Sequence, residues 1–268
     1  MRISHTNSIQ GYVGKWLEGM NVKAQAKRKP SSGLRVPQPV KSLARNEFNL
    51  CVMLELFDER LKRNERLISG KEADCDFGAY SEAMCFLDSI YFISRTLMDS
   101  AAGIVRHYNN INNRGREIAQ SFSDLYNKAV KGELPNNLNG VFSGCKNWFP
   151  QLKARRDAIV HHYETHVIGF GMHANGNTKV TQFSLKDSNV VIPDLRSYIG
   201  MIMAGYQCFI DKLLDYWDEM FIGWYKFKPP RVTSILEGRR ANILWWAYQY
   251  GGYRNDNMVV SESVGQFY

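Results

Sequence analysis

From Leu195 to Trp217 an apolar side chain returns every three or four residues: Leu195, Tyr198, Ile199, Ile202, Met203, Tyr206, Phe209, Ile210, Leu213, Leu214 and Trp217. Only an α-helix gathers that spacing into one continuous stripe. Pro193-Asp194 supplies the start, since aspartate caps a helix well and proline is tolerated where a helix opens. The stripe is about six turns long at 3.6 residues per turn and must be covered, so the rest of the chain has to furnish packing partners.

The partners are legible as further helices. Ser42 is read as the N-cap of a first amphipathic helix carrying Leu43, Leu50, Met53, Leu54, Phe57 and Leu61 on one face, stopped by Ser69-Gly70. A second starts near Ser81 and runs through Met84, Leu87, Ile90, Tyr91, Leu97, Met98, Ala101, Ile104, Val105 and Tyr108 to the Asn-rich break at 109–113. A shorter helix is expected from about Arg114 to Val130, ended by Gly132 and Pro135, with a loop onward to Gly144. Trp148-Phe149-Pro150 opens another, with Pro150 suited to a first turn.

After Tyr163 the pattern changes. Residues 166–173 and 178–185 flank Asn175-Gly176, the dipeptide a tight hairpin turn prefers, so a small β-hairpin is expected at about 166–185. Beyond Pro229-Pro230 a last helix, about Thr233 to Tyr250, ends at Gly251-Gly252, and the tail to Tyr268 reads as irregular. With no internal repeat and no long heptad run, the fold class is all-α: a helical bundle with a β-hairpin insertion.

Charge divides the chain. Residues 1–41 carry Arg2, Lys15, Lys23, Lys27, Arg28, Lys29, Arg35 and Lys41 against Glu18 alone, nearly all of the net +8, while the centre is close to neutral. Pro30, Ser31, Ser32, Gly33, Pro37 and Pro39 among these cations make 1–41 a flexible basic arm, leaving 42–225 as the helical domain and 226–268 as a basic, aromatic C-terminal segment. Such an arm favours phosphate backbones or an acidic partner, and it also serves as a solubilising tail. Arg239 and Arg240 beside Trp245, Trp246 and Tyr248 offer stacking and phosphate contacts for single-stranded RNA, although such aromatics equally build core, and Trp245 or Trp246 is expected to pack inward against the helix from Leu195.

Five cysteines without a CxxC point to a reducing cytoplasm, with Cys51, Cys85 and Cys208 falling in apolar helical patterns as small hydrophobes. The longest apolar run, Tyr198 to Ile210, is too short to span a bilayer. No Gly-rich phosphate loop or nucleophile elbow is present.

The densest chemistry lies in Arg155-Arg156-Asp157-Ala158-Ile159-Val160-His161-His162-Tyr163. Arginine clamps phosphate with a planar fork of donors, and histidine exchanges protons near neutrality, which together suit phosphodiester cleavage without a metal or other cofactor. The same residues also suit an ordinary solvated helix face. His162 and His166 have an i, i+4 spacing that two zinc ligands can share, but Glu164 is misplaced for an HExxH motif and no metal site is assigned.

The order of helices, with Arg156-Asp157-x-x-x-His161 on the fourth and an extended segment after it, resembles the HEPN superfamily of α-helical proteins, many of them RNases of toxin–antitoxin and antiviral systems. The resemblance covers about Ser42 to Tyr225. It implies that Arg156 and His161 form the functional pair, with Asp157 orienting one of them and His162 or Tyr163 binding phosphate or acting as second acid. Arg155 and His162, with six residues between them, offer a second match, so the pair stays open between the two sets. The resemblance further implies a homodimer whose two motif helices make one composite RNase site, RNA as substrate, and an antitoxin or nucleotidyltransferase as a possible partner. Arg155, Lys27, Arg28, Lys29, Arg239 and Arg240 are then the RNA-binding cations. A non-catalytic module binding RNA or protein is the alternative.

Overall fold

In a computed structural model of the chain the described residues are 2–4, 38–68, 70, 77–112, 121–162, 165–172, 178–185, 190–225, 243–254 and 259–261. The stripe from Leu195 is the inner face of a helix at Leu195–Tyr225, and Leu195, Ile199, Ile202, Met203, Phe209, Ile210, Leu213 and Leu214 are all buried. In chain order the elements are β1 (Arg2–Ser4), α1 (Gln38–Ile68), α2 (Phe77–Asn112), α3 (Phe122–Val130), α4 (Asn136–Ser143), α5 (Phe149–His162), β2 (His166–Met172), β3 (Thr178–Ser184), β4 (Val190–Ile192), α6 (Leu195–Tyr225), α7 (Ile243–Gln249) and β5 (Val259–Ser261). The described part is thus mostly helical with a small antiparallel sheet.

One core joins every helix: Leu54, Leu87, Phe122, Phe142, Leu152, Ile202 and Trp246 belong to a single buried cluster, with Ile168, Val180 and Ile192 added by the sheet. Phe122 is its hub, 4.6 Å from Phe149, 5.2 Å from Phe142 and 5.3 Å from Phe209 between ring centroids. Full burial of each such ring contributes about 1.5–3 kcal/mol, and a well-oriented aromatic pair about 0.5–1.5 kcal/mol more. Trp246 does pack inward, stacked on Phe57 of α1, so α7 shares the bundle's core.

Several boundaries differ from expectation. α1 starts at Gln38, four residues before Ser42, because Pro39 falls in the first turn where its missing N–H is not needed. α2 starts at Phe77, four residues before Ser81, whose hydroxyl donates back to the Phe77 carbonyl. α3 starts at Phe122 instead of Arg114, fixed by a capping box in which Ser121 Oγ accepts from Asp124 N and Asp124 Oδ2 accepts from Ser121 N. The stretch read as a loop to Gly144 contains α4, held by burial of Leu138, Val141 and Phe142 despite its Asn and Gly content. Cys51 and Cys145 are buried, whereas Cys85 and Cys208 are exposed and do not act as core residues.

The hairpin forms where expected, with His166 opposite Ser184 and Met172 opposite Thr178, and β4 adds an unforeseen third strand beside β3. Its edge is held by one residue: Tyr80 Oη on α2 accepts from Ile168 N at 3.2 Å and donates to Ile168 O at 3.0 Å. The tail is not wholly irregular either, since β5 pairs antiparallel with β1 and ties the two ends of the chain together. Among the described residues no helix is long and apolar enough to cross a membrane.

Candidate functional site

α5 is anchored at one end and open at the other. Phe149 and Leu152 are buried, and Phe149 is gripped by Phe122, by Tyr126 at 5.2 Å and by the Arg95 guanidinium 5.3 Å above its ring. Arg95 in turn bonds Asp99 and Ser123, which fastens the start of α5 to α2 and α3. From Arg155 to Val160 every residue is half-buried, and His161 is exposed. The motif therefore sits on a rigid element but at the surface.

There Arg156 Nη1 donates to Asp157 Oδ1 at 2.9 Å and lies 3.2 Å from His161 Nε2. A five-residue spacing sets the two Cα atoms about 140° apart around a helix, and the long arginine side chain closes that gap. Arginine has only donors, so in this contact His161 Nε2 stands as the acceptor. Lys153 Nζ bonds the other Asp157 oxygen at 2.6 Å. Partial burial pushes the Asp157 carboxyl up, but the bonds and charges of Lys153 and Arg156 outweigh it and hold it below the usual carboxylate range. Asp157 is thus a fixed anion that steers Arg156, and it is no proton donor at neutral pH.

Burial pushes the phenols of Tyr91 on α2 and Tyr198 on α6 up, and the charge of the half-buried Arg155 opposes part of that rise. The structure brings together Arg156, Asp157 and His161. His162 closes α5, but its side chain lies outside the described residues, as do Tyr163, Lys27, Arg28, Lys29, Arg239 and Arg240. Among the described residues no group of three His, Cys, Asp or Glu side chains is placed to hold a metal ion, and His166 begins β2 as a buried residue.

Lys153 went unread in the sequence although its i, i+4 spacing to Asp157 is an ordinary helical ion-pair signal. A cleft of about 240 Å³ between α4 and α6 is lined by Val141, Cys145, Trp148, Gly205, Cys208 and Lys212, and no motif residue borders it. Its Cys145 thiol is pushed up to about 12 by burial, so it offers no nucleophile. α5 accordingly presents an open helix face on which one imidazole lies beside one guanidinium. No protein-family model matches the chain, and no curated protein and no solved structure matches it either.

Proposed function

We propose that the protein is a metal-independent endoribonuclease of the HEPN type, working in a toxin–antitoxin or antiviral setting. The observation that carries this reading is the contact between Arg156 Nη1 and His161 Nε2 on an exposed helix face, with Asp157 fixing the arginine. A phosphate arriving at Arg156 draws the guanidinium onto its non-bridging oxygens and frees Nε2. His161 then takes the proton of the ribose 2′-hydroxyl, the 2′-oxygen attacks the adjacent phosphorus, and Arg156 stabilises the charge on the phosphorane. The bond to the 5′-oxygen of the next nucleotide breaks, and that oxygen leaves with a proton from a second acid. The products are a 2′,3′-cyclic phosphate and a 5′-hydroxyl.

One His161 supplies one base, and His162 or Tyr163 supplies the second acid at a composite site in a homodimer whose α5 helices lie side by side. An open helix face suits that composite arrangement. In such a system an antitoxin or nucleotidyltransferase would gate the activity.

The same triad supports a second reading. Lys153, Asp157 and Arg156 form a linked ion pair of the kind that ordinary helix surfaces carry, which fits a module that binds RNA or protein without turnover. Incubating the protein with bulk RNA in EDTA, beside His161→Ala and Arg156→Ala, separates the two. Cleavage abolished in both variants is expected; RNA bound equally by all three proteins with no cleavage decides for the module.

A further inference from the structure

The cleft between α4 and α6 has an apolar floor and an accessible rim. Val141, Trp148, Ala204 and Phe209 line it and are buried. Cys208 and Lys212, one turn apart on α6, and Gly144 and Asn147, in the turn after α4, border it and are exposed. The Trp148 ring is seated on Gly205, where a Cβ would lie 2.4 Å from it, so the floor is already formed without a ligand. The cleft's volume of about 240 Å³ is room for about ten non-hydrogen atoms.

One charge stands at this rim. A Cβ on Gly144 would lie 2.9 Å from Lys212 Nζ, so the ammonium is held over that glycine. Gly144 has φ −63° and ψ −14°, a backbone any residue adopts, and what a side chain there would meet first is the ammonium. Lys212 makes no hydrogen bond or ion pair among the described residues. The acidic residues nearby on α6 are directed elsewhere. Asp211 accepts from the Tyr253 hydroxyl at 2.6 Å, while Asp215 and Glu219 border the next hollow along the helix, where Glu219 accepts from Asn137.

Apolar walls with one convergent polar group are the ordinary make-up of a small-ligand site. We propose that this cleft binds a small organic acid, with its carboxylate on Lys212 Nζ and an apolar body, aryl or short alkyl, over Trp148. The lysine stem packs along apolar surface while its head stays at the rim, so pairing there does not require full loss of water. A phosphate ester brings about two negative charges against one ammonium and would press the excess onto a floor without donors. A neutral apolar molecule would leave Lys212 unused. The site stands apart from the nuclease reading, since it uses none of the α5 motif.

Calorimetric titration of the full chain with 3-phenylpropanoate, beside 3-phenylpropanamide and acetate, tests the site. The acid is expected to bind with a dissociation constant of about 1 mM or less, an ordinary efficiency for about ten atoms. The neutral amide should bind about tenfold more weakly, as loss of one hydrogen bond to a charged group implies, and acetate should give no measurable heat. Lys212→Met, checked for a native circular-dichroism spectrum, should bring acid and amide to equal affinity. Cys208 supplies a second readout: at ten times the dissociation constant its alkylation by iodoacetamide should slow about tenfold, because only about one site in eleven is then free. Cys85, also exposed but not bordering the cleft, should react at an unchanged rate. Equal binding of acid and amide, no heat from the acid at about ten times the expected constant, a ratio unchanged in folded Lys212→Met, or alkylation of Cys208 slowed no more than that of Cys85 overturns the site. Acid-selective binding lost in Lys212→Met, with protection confined to Cys208, supports it whether or not the protein cleaves RNA.

Discussion

Glu47 makes the stability of this protein depend on pH in an unusual direction. It lies on α1, half-buried in the seam with α6, where Oε1 accepts the hydroxyl proton of Tyr206. Burial pushes the carboxyl from 4.5 up to about 7, with the Tyr206 bond opposing only part of that rise. Below pH 4.5 both the folded and unfolded states hold the proton and no penalty arises. Between 4.5 and 7 the unfolded chain has released it and the folded one has not, so stability falls by about 1.4 kcal/mol per pH unit. Above 7 the loss levels off at about 3 kcal/mol, the full cost of charging the buried group.

Glu47→Gln keeps the shape and leaves an amide oxygen for Tyr206 but cannot charge. The variant should match the parent to within about 1 kcal/mol near pH 4.5 and exceed it by about 3 kcal/mol at pH 8, roughly 6–10 °C in Tm. Urea or thermal unfolding of both proteins from pH 4.5 to 8 reads the difference directly, since other titrations cancel between them. A difference that does not grow with pH, or a less stable variant at pH 8, would refute the assignment of a buried, neutral carboxyl.

Other perturbations follow from single contacts. Tyr80→Phe removes the hydroxyl that serves both Ile168 N and Ile168 O, and should cost about 1–3 kcal/mol with faster amide exchange at Ile168 than at the β3 amides. Gly205→Ala places a methyl group 2.4 Å from the Trp148 ring, and a loss of about 1–3 kcal/mol in urea unfolding is expected. Ser121→Ala breaks the capping box of α3 and should cost about 1 kcal/mol.

The helices were legible wherever burial imposes a period. Leu195 to Leu214 announce α6 because nearly every inward position is apolar, and Leu43 to Leu61 announce α1 for the same reason, with Gln207 and Asp58 the buried polar residues in these ranges. α4 was hidden because Asn136, Asn137, Asn139 and Gly140 have turn composition, while only Leu138, Val141 and Phe142 carry the helical signal. β4 is three residues long, too short for any period. The start of α1 was missed by treating prolines as breakers, although Pro39 sits in a first turn. Arg156, Asp157 and His161 could be found as neighbours along one helix. Gln182, Tyr91 and Tyr198 could not, because they meet only after α2, β3 and α6 have packed, and a lone glutamine in a strand gives no warning that it points inward.

The measurement that tests the nuclease reading most directly compares one RNA sequence with its fully 2′-O-methylated counterpart, in EDTA, followed by analysis of the ends. The expected result is cleavage of the unmodified strand to a 2′,3′-cyclic phosphate and a 5′-hydroxyl, with the methylated strand intact because its 2′-oxygen has no proton for His161 to take. Cleavage of both strands, or products ending in a plain 3′-hydroxyl, would contradict the 2′-hydroxyl mechanism and with it the role given to Arg156 and His161.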